Sequence, residues 1–308
     1  MKYYFIMNPG SKGGYSQKEF RLIHQILTQN HIGYDYAITK DLDDAYTLSV
    51  QANQKDYDVI VAVGGDGTIN RVLNGFYDQN GKRNSKAKFG VIYTGTSPDF
   101  CKSYNIPLKI DKALYTLIKG NVKSIGIGKI AFKDNVKYFA CCANIGLGAT
   151  LAGYANSGIR KYVGDKLGTF LSLMKTLCVY RPVTVKLVRQ KLSKETLSNE
   201  IPSNKERTNE NISHVYNISV GKTYYVASGL KINNELKENE PMFYVLIIKD
   251  HPLKSICTLY AGKSLPLEYA HEITIEGDAA VEFDGDEGGK LPCTISGADN
   301  LEVICEGK

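Results

Sequence analysis

The apolar run Val59-Ile60-Val61-Ala62-Val63 leads straight into Gly64-Gly65-Asp66-Gly67-Thr68, and helical periodicity starts at once behind it, with Ile69, Val72, Leu73 and Phe76 on one face. A β-branched run that is apolar on both faces is what a buried parallel strand requires. Three glycines in five positions let the chain turn sharply, with positive φ open to them. The N–H groups of such a loop converge on an anion, and the helix N-terminus behind it adds its dipole. Asp66 repels a phosphate and makes chemical sense beside one only with a metal ion between them. The strand–loop–helix unit sits inside a longer alternation. Tyr3 to Met7, Tyr34 to Thr39 and Phe89 to Tyr93 read as strands. Phe20, Ile23, Ile26 and Leu27 mark a helix, Asp41 or Asp43 caps another running to about Gln54, and Asp111 to Lys119 forms a third. The βαβα order predicts an open parallel sheet covered by helices on both faces.

Beyond Lys123 the texture changes to short strands: Ile125 to Phe132, Val136 to Ala143, Val183 to Val188, Val215 to Val220, Phe243 to Ile248, Ile273 to Ile275, Val281 to Phe283 and Leu301 to Ile304. Helices interrupt them near Lys161–Val179 and Leu253–Ala261, and the polar stretch Arg189 to Asn211 reads as an extended hairpin loop. The expectation is an α/β domain on a parallel sheet over residues 1–123, followed by a mostly β, antiparallel, sandwich-like domain over residues 124–308. Composition is ordinary for a globular chain of 308 residues, 43% hydrophobic and 23% charged. No run approaches the roughly 20 apolar residues a bilayer span needs. Met1 to Met7 reads as a first strand rather than a signal peptide. Seven cysteines, an odd number with no C-x-x-C pair, argue against a zinc site or a disulfide framework and for reduced thiols in the cytoplasm. A net charge of +6 is a mild basic bias, and no Lys/Arg tract with interleaved aromatics suggests nucleic acid.

Four further segments carry chemistry. Asn8-Pro9-Gly10-Ser11-Lys12-Gly13-Gly14 closes the first strand with a Gly-rich loop. Asn70-Arg71-Val72-Leu73-Asn74-Gly75 continues the helix behind Asp66. Thr94-Gly95-Thr96-Ser97-Pro98-Asp99-Phe100, with Asn105-Ile106-Pro107, follows another strand. Phe283-Asp284-Gly285-Asp286-Glu287-Gly288-Gly289-Lys290-Leu291-Pro292 holds three acids within four residues. Crowded acids repel, so without a cation at least one has a raised pKa, as suits a proton acceptor.

Taken together, these segments resemble the diacylglycerol, sphingosine and ceramide kinase superfamily, and the terminal acidic segment resembles the bacterial diacylglycerol kinases in particular. NAD kinases and some phosphofructokinases share the GGDGT loop but not the acidic segment. The resemblance implies a magnesium-dependent kinase that moves the γ-phosphate of ATP onto a lipid hydroxyl. It implies nucleotide contacts from Asn8, Pro9, Gly10, Ser11, Lys12, Thr39, Gly64, Gly65, Asp66, Gly67, Thr68, Asn70 and Thr96. Asp66 and Asp99 are the implied magnesium ligands. Asp286 is the implied proton acceptor, with Asp284 placing it or sharing the task and Asp66 a contender. Arg71 and Asp286 stand where the family has Glu, and Pro98 where it has Asn. The family's second, structural metal site is built on an Asp-Asp-Gly turn; Lys237-Glu238-Asn239-Glu240-Pro241 replaces it here, so that site is not expected.

Diacylglycerol is the first acceptor to consider, with sphingoid base, ceramide and phosphatidylglycerol open. Ser157 to Arg181 carries five cations and a helical apolar stripe suited to the surface of an anionic membrane. The expected setting is cytoplasmic, peripheral at the inner membrane surface, with homodimers usual in the family. The alternatives are a kinase of a soluble substrate, as in NAD kinases, and a non-catalytic nucleotide- or lipid-binding relative.

Overall fold

The computed structural model describes residues 1–11, 16–41, 43–154, 176–177, 179–192, 205–226 and 229–307. Its first sheet has the order β2 (Tyr34–Ile38), β1 (Tyr3–Met7), β3 (Val59–Gly64), β4 (Lys88–Tyr93), β19 (Leu301–Ile304) and β5 (Val122–Ile125). All neighbours are parallel except β19 and β5. The alternation along β3 explains its composition. Ile60 and Ala62 pack into one core with residues of α2 (Asp44–Asn53) and α3 (Asp66–Asn74). Val59, Val61 and Val63 pack into another with α1 (Ser16–Gln29) and α5 (Ile110–Lys119). Both faces of the strand are dry, so neither face can be polar. Asp43 precedes α2 without a side-chain cap, and Asp41 Oδ1 accepts the Asp44 N–H at 2.9 Å.

The cut expected after residue 123 falls inside β5, and the last strand returns to the first sheet between β4 and β5. The apolar run Leu301–Ile304 announces a strand. Its place in the order is set by partners 176 to 214 residues away, which local pattern does not reveal.

The residues between form a mostly antiparallel sheet of eleven strands. Its main path runs β17 (Asp286–Lys290), β16 (Ala280–Phe283), β8 (Cys142–Gly146), β10 (Lys205–Gly221), β9 (Val183–Leu192), β15 (Glu272–Glu276), β18 (Cys293–Gly297), β6 (Gly128–Ala131) and β7 (Val136–Phe139). β13 (Phe243–Lys249) branches from β10 and carries β14 (Glu268–Ala270). Residues from every strand of this path except β17 share one core, including Ile130, Ile145, Leu187, Ile218, Ile273, Val281 and Ile295. The sheet therefore curls around its own apolar face. The polar stretch expected to be a loop between Arg189 and Asn211 is ladder for most of its described length: β9 and β10 pair out to Leu192 and Lys205. Two helices cover the outer side, α6 (Leu147–Tyr154) and α7 (Pro252–Tyr260); a short hairpin of β11 (Tyr225–Val226) and β12 (Leu230–Lys231) lies beside α7. The basic stretch Ser157 to Arg181 lies largely outside the described residues. Among the described residues, no helix is long and apolar enough to cross a membrane.

Candidate active site

The carboxyl ends of β1, β3 and β4 bring the Gly-rich loops together. Asn8 ties two of them: its Nδ2 donates to Thr68 Oγ1 at 2.8 Å, and its Oδ1 accepts the Gly10 N–H at 2.9 Å. Ser11 Oγ meets Thr94 Oγ1 at 2.7 Å and so joins the first loop to the third. The glycines serve close approach rather than positive φ, which none from Gly64 to Gly67 adopts. A Cβ on Gly95 would fall 2.5 Å from Gly65 Cα, and one on Gly64 would fall 2.4 Å from Thr68 Oγ1. Gly65 caps α3 in an extended conformation, so the first N–H groups of that helix open toward the loops.

A cavity of about 490 Å³ starts at these loops. Its polar end is lined by Asn8, Gly10, Ser11, Gly65, Asp66, Gly67, Thr68, Thr96 and Asp99. Glu282 of β16 and, from the acidic tip that follows it, Asp284 and Gly285 enter as well. The far end is apolar: Leu147 and Leu151 of α6, Leu246 and Ile248 of β13, and Ile256 and Leu259 of α7. Positions 66 and 284, far apart in sequence, thus share one chamber, and the charge of Asp284 acts on Asp66.

Several implied contacts do not lie on the cavity wall. Pro9, Thr39, Gly64, Asn70 and Asp286 are absent from it, and Lys12 lies outside the described residues. Thr39 is buried at the end of β2, its N–H on the Met7 carbonyl. Asn70 is a brace: its Nδ2 donates to Tyr138 O at 3.0 Å and to Asp284 Oδ2 at 3.3 Å. Asp286 is engaged by Arg71, whose NH1 donates to its Oδ2 while Nε donates to Asp43 Oδ1 at 3.0 Å. The two departures from the family pattern, Arg71 and Asp286, therefore answer each other as one ion pair. Each looks arbitrary when read alone, because their partnership exists only across 215 residues of sequence.

The acids of the chamber have distinct states. Burial pushes Asp66 up to about 8, helped by the charges of Asp99 and Asp284 and opposed by the hydrogen bond from Tyr93 Oη at 3.0 Å. Asp284 is raised to about 6 by burial, although its oxygens accept from Ala140 N at 2.8 Å, Cys141 N at 2.9 Å, Cys142 N at 3.1 Å and Asn70. Those bonds favour the charged form and keep the value from rising further. Burial lifts Glu282 to about 8 against bonds from Asn144 Nδ2 at 2.5 Å and Gly285 N at 2.9 Å. Burial also raises Asp286, with Arg71 opposing. The groups acting on Asp66 are a phenol, its own backbone and two more carboxylates, so the negative charge there is in excess. That all-oxygen set suits a hard divalent ion. Among the described residues, no three His, Cys, Asp or Glu side chains could hold one by themselves, so phosphate and water oxygens would have to complete its shell.

Sequence reasoning missed Tyr93, which orients Asp66, and the polar side chains Asn144, Asn217, Ser219 and Glu282 on the cavity wall. A usable signal exists for some of them. Asn217 and Ser219 alternate with Ile218 and Val220, a period-two polar face on a strand buried on both sides.

The stretch that stands where the family has its second metal turn is held by a lysine. Lys222 Nζ donates to Glu240 O at 2.7 Å and Met242 O at 2.9 Å, 4.5 Å above the Phe243 ring, and burial lowers its pKa to about 8.

Comparison with known proteins agrees with this geometry. The diacylglycerol kinase catalytic domain family matches residues 2–130. A diacylglycerol kinase of Staphylococcus aureus (strain bovine RF122 / ET3-1) is 36% identical over 137 residues, 44% of this chain and 40% of that protein. One from Staphylococcus carnosus (strain TM300) is 33% identical over 126 residues, 41% of this chain and 39% of that protein. The match thus spans about two fifths of the length of these curated relatives. The crystal structure of a diacylglycerol kinase from Bacillus anthracis str. Sterne superposes with a TM-score of 0.75 at 19% identity, covering 99% of this chain and 97% of that one. At that identity the likeness is one of fold.

Proposed function

We propose that the chain is a kinase transferring the γ-phosphoryl group of ATP to the hydroxyl of a membrane lipid, diacylglycerol being the reference acceptor; in support, residues 2–130 match the diacylglycerol kinase catalytic-domain family and the whole chain shares its fold with a solved diacylglycerol kinase. The observation that carries this reading is the single chamber with an anion cradle at one end, carboxylates in the middle and an aliphatic wall at the other. A soluble polar substrate has no use for Leu147, Leu151, Ile248 and Leu259.

The polyphosphate lies against the N–H groups of residues 65–68 at the start of α3, beside the loop of residues 8–11. Asp66 and Asp99 would hold a magnesium ion, mostly through water, and the ion when bound supplies neutralisation of phosphate charge. Asp66, which faces the chamber between the phosphate loops and the acceptor side, takes the hydroxyl proton, and the ion when bound would favour the charged form that can accept it. The acceptor oxygen bonds to phosphorus as the bond from phosphorus to the β–γ bridging oxygen breaks, and ADP leaves with that electron pair. Asp284 clamps the chain at 140–142 and holds the tip over the chamber. Asp286 acts through Arg71, tying that tip to α3, as a positioning residue. The protein works from the cytoplasmic side, where ATP is, on a lipid presented at the membrane surface.

Labelled ATP offered with mixed lipid acceptors tests the proposal. A labelled lipid product that disappears in Asp66→Asn is the expected result. Label appearing in a soluble acceptor instead would overturn it.

A further inference from the structure

A row of polar side chains crosses the cavity wall where a purely lipid-lined surface would be aliphatic. In register, Glu282 of β16 stands opposite Asn144 of β8, and Asn144 opposite Ser219 of β10; on β13 the same row ends in Leu246. Asn217 lies two residues before Ser219 on the same face, opposite Ile248 of β13. All of these side chains line the cavity, while the intervening Ala143, Ile218, Val220 and Val281 lie in the core of the curled sheet. Three neighbouring strands are therefore polar toward the chamber and the fourth is apolar.

The hydrogen bonds of this row spend its donors internally. Asn144 Nδ2 donates to Glu282 Oε1 at 2.5 Å and to Cys142 Sγ at 3.5 Å. Asn217 Nδ2 donates to Ser219 Oγ at 2.9 Å and to Asn144 Oδ1 at 3.3 Å. The Ser219 hydroxyl donates to Asn144 Oδ1 at 2.5 Å, and backbone N–H groups of Gly148 and Gly285 occupy one position each on Asn217 Oδ1 and Glu282 Oε2. What remains on offer is lone pairs on Glu282, Ser219 and Asn217, together with the one proton that burial leaves on Glu282 and that an incoming ammonium or hydroxyl displaces. The groups that act on Glu282 are Asn144, Gly285 and two further acids, so nothing in the row supplies a counter-charge.

We propose that Glu282, Asn144, Ser219 and Asn217 form an acceptor-selecting subsite for a lipid that carries a hydrogen-bond donor, a second hydroxyl or an ammonium, beside the reacting hydroxyl. The inference rests on the lipid-kinase reading and narrows it. A neighbouring donor satisfies the exposed lone pairs. An esterified neighbour brings only lone pairs, of which the single Glu282 proton can meet one, and it leaves the other acceptors of the row unpaired, the situation that makes polar pockets selective. The alkyl chain then runs over Leu246 and Ile248 toward Leu259.

The test compares kcat/KM for a monoacylglycerol, a long-chain amino alcohol and a diacylglycerol of matched chain length in the same detergent micelles. At least one donor-bearing acceptor is expected to exceed the diacylglycerol about a hundredfold. Preference for the monoacylglycerol identifies a diol subsite, and preference for the amino alcohol an ammonium subsite. Glu282→Gln and Ser219→Ala are both expected to shrink that ratio to below about tenfold; Ser219→Ala removes a single oxygen and serves where the first variant disturbs folding. A diacylglycerol rate equal to or above both others overturns the subsite and leaves the lipid-kinase reading intact, and so does a preference that survives in both variants. Phosphorylation of none of the three overturns both.

Discussion

Gly95→Ala is the sharpest probe of how the phosphate loops are held. The new Cβ would lie 2.5 Å from Gly65 Cα and 2.7 Å from Tyr93 Oη, whereas ordinary contact begins at 3.4 Å, so shortfalls of about 0.9 Å and 0.7 Å must be absorbed. Neither neighbour can swing aside cheaply. One is backbone of the GGDGT loop, and the other is the phenol that holds Asp66. Overpacking of this kind costs ~1–3 kcal/mol of stability. A displacement near 1 Å in groups that position reacting atoms costs ~10² in rate. The expected outcome is a lower melting temperature together with a fall of about 10² in kcat/KM for ATP. Gly65→Ala meets Gly95 Cα at 3.2 Å and is expected to do much less, while Gly33→Ala, with nothing within 4 Å, is the control. Steady-state kinetics and thermal melts on the three variants decide the matter. Wild-type kcat/KM in Gly95→Ala, or a larger loss in Gly65→Ala, would refute the reasoning.

Arg71 and Asp286 are expected to behave as one unit. Arg71→Ala and Asp286→Asn should each lower turnover, and the double variant should be little worse than either, with a coupling of about 1–3 kcal/mol in a double-mutant cycle; simple additivity would mean that Asp286 acts independently of Arg71. Asp66→Asn should abolish turnover and stabilise the metal-free protein. The folded-state pKa of Asp66 is raised to about 8, so its contribution to stability is present below about pH 4 and is lost as pH rises to 8. Melting curves should therefore separate with rising pH, the variant melting higher, and magnesium with ATP should stabilise wild type more than the variant. Lys222 has a lowered folded-state pKa of about 8, so its buried charge costs stability below that value and the cost fades between pH 8 and 10.5. Denaturant titrations should show wild type gaining on Lys222→Met, by roughly 3 kcal/mol at most, over that window; a constant difference would contradict the assignment.

Local signals made the first sheet and its anion loops readable. A strand dry on both faces, glycines where chain meets chain and a helix starting at Asp66 are dictated over ten residues, because burial and backbone sterics act at that range. The same holds for the individual strands of the curled sheet, each announced by its alternation. The long β9–β10 hairpin was hidden by its polar composition: an exposed ladder is held by backbone bonds that leave no trace in side-chain polarity.

The sequence by itself determined which loops can cradle phosphate and that acids occur at both ends of the chain. Only the tertiary structure decided which acids meet. It put Asp284 and Glu282 in the chamber, took Asp286 out of it onto Arg71, returned β19 to the first sheet and faced Asn144, Asn217 and Ser219 toward the acceptor side. The physical reason is that strand register and sheet order join residues separated by hundreds of positions, and the desolvation that sets their charge states depends on what those distant partners exclude.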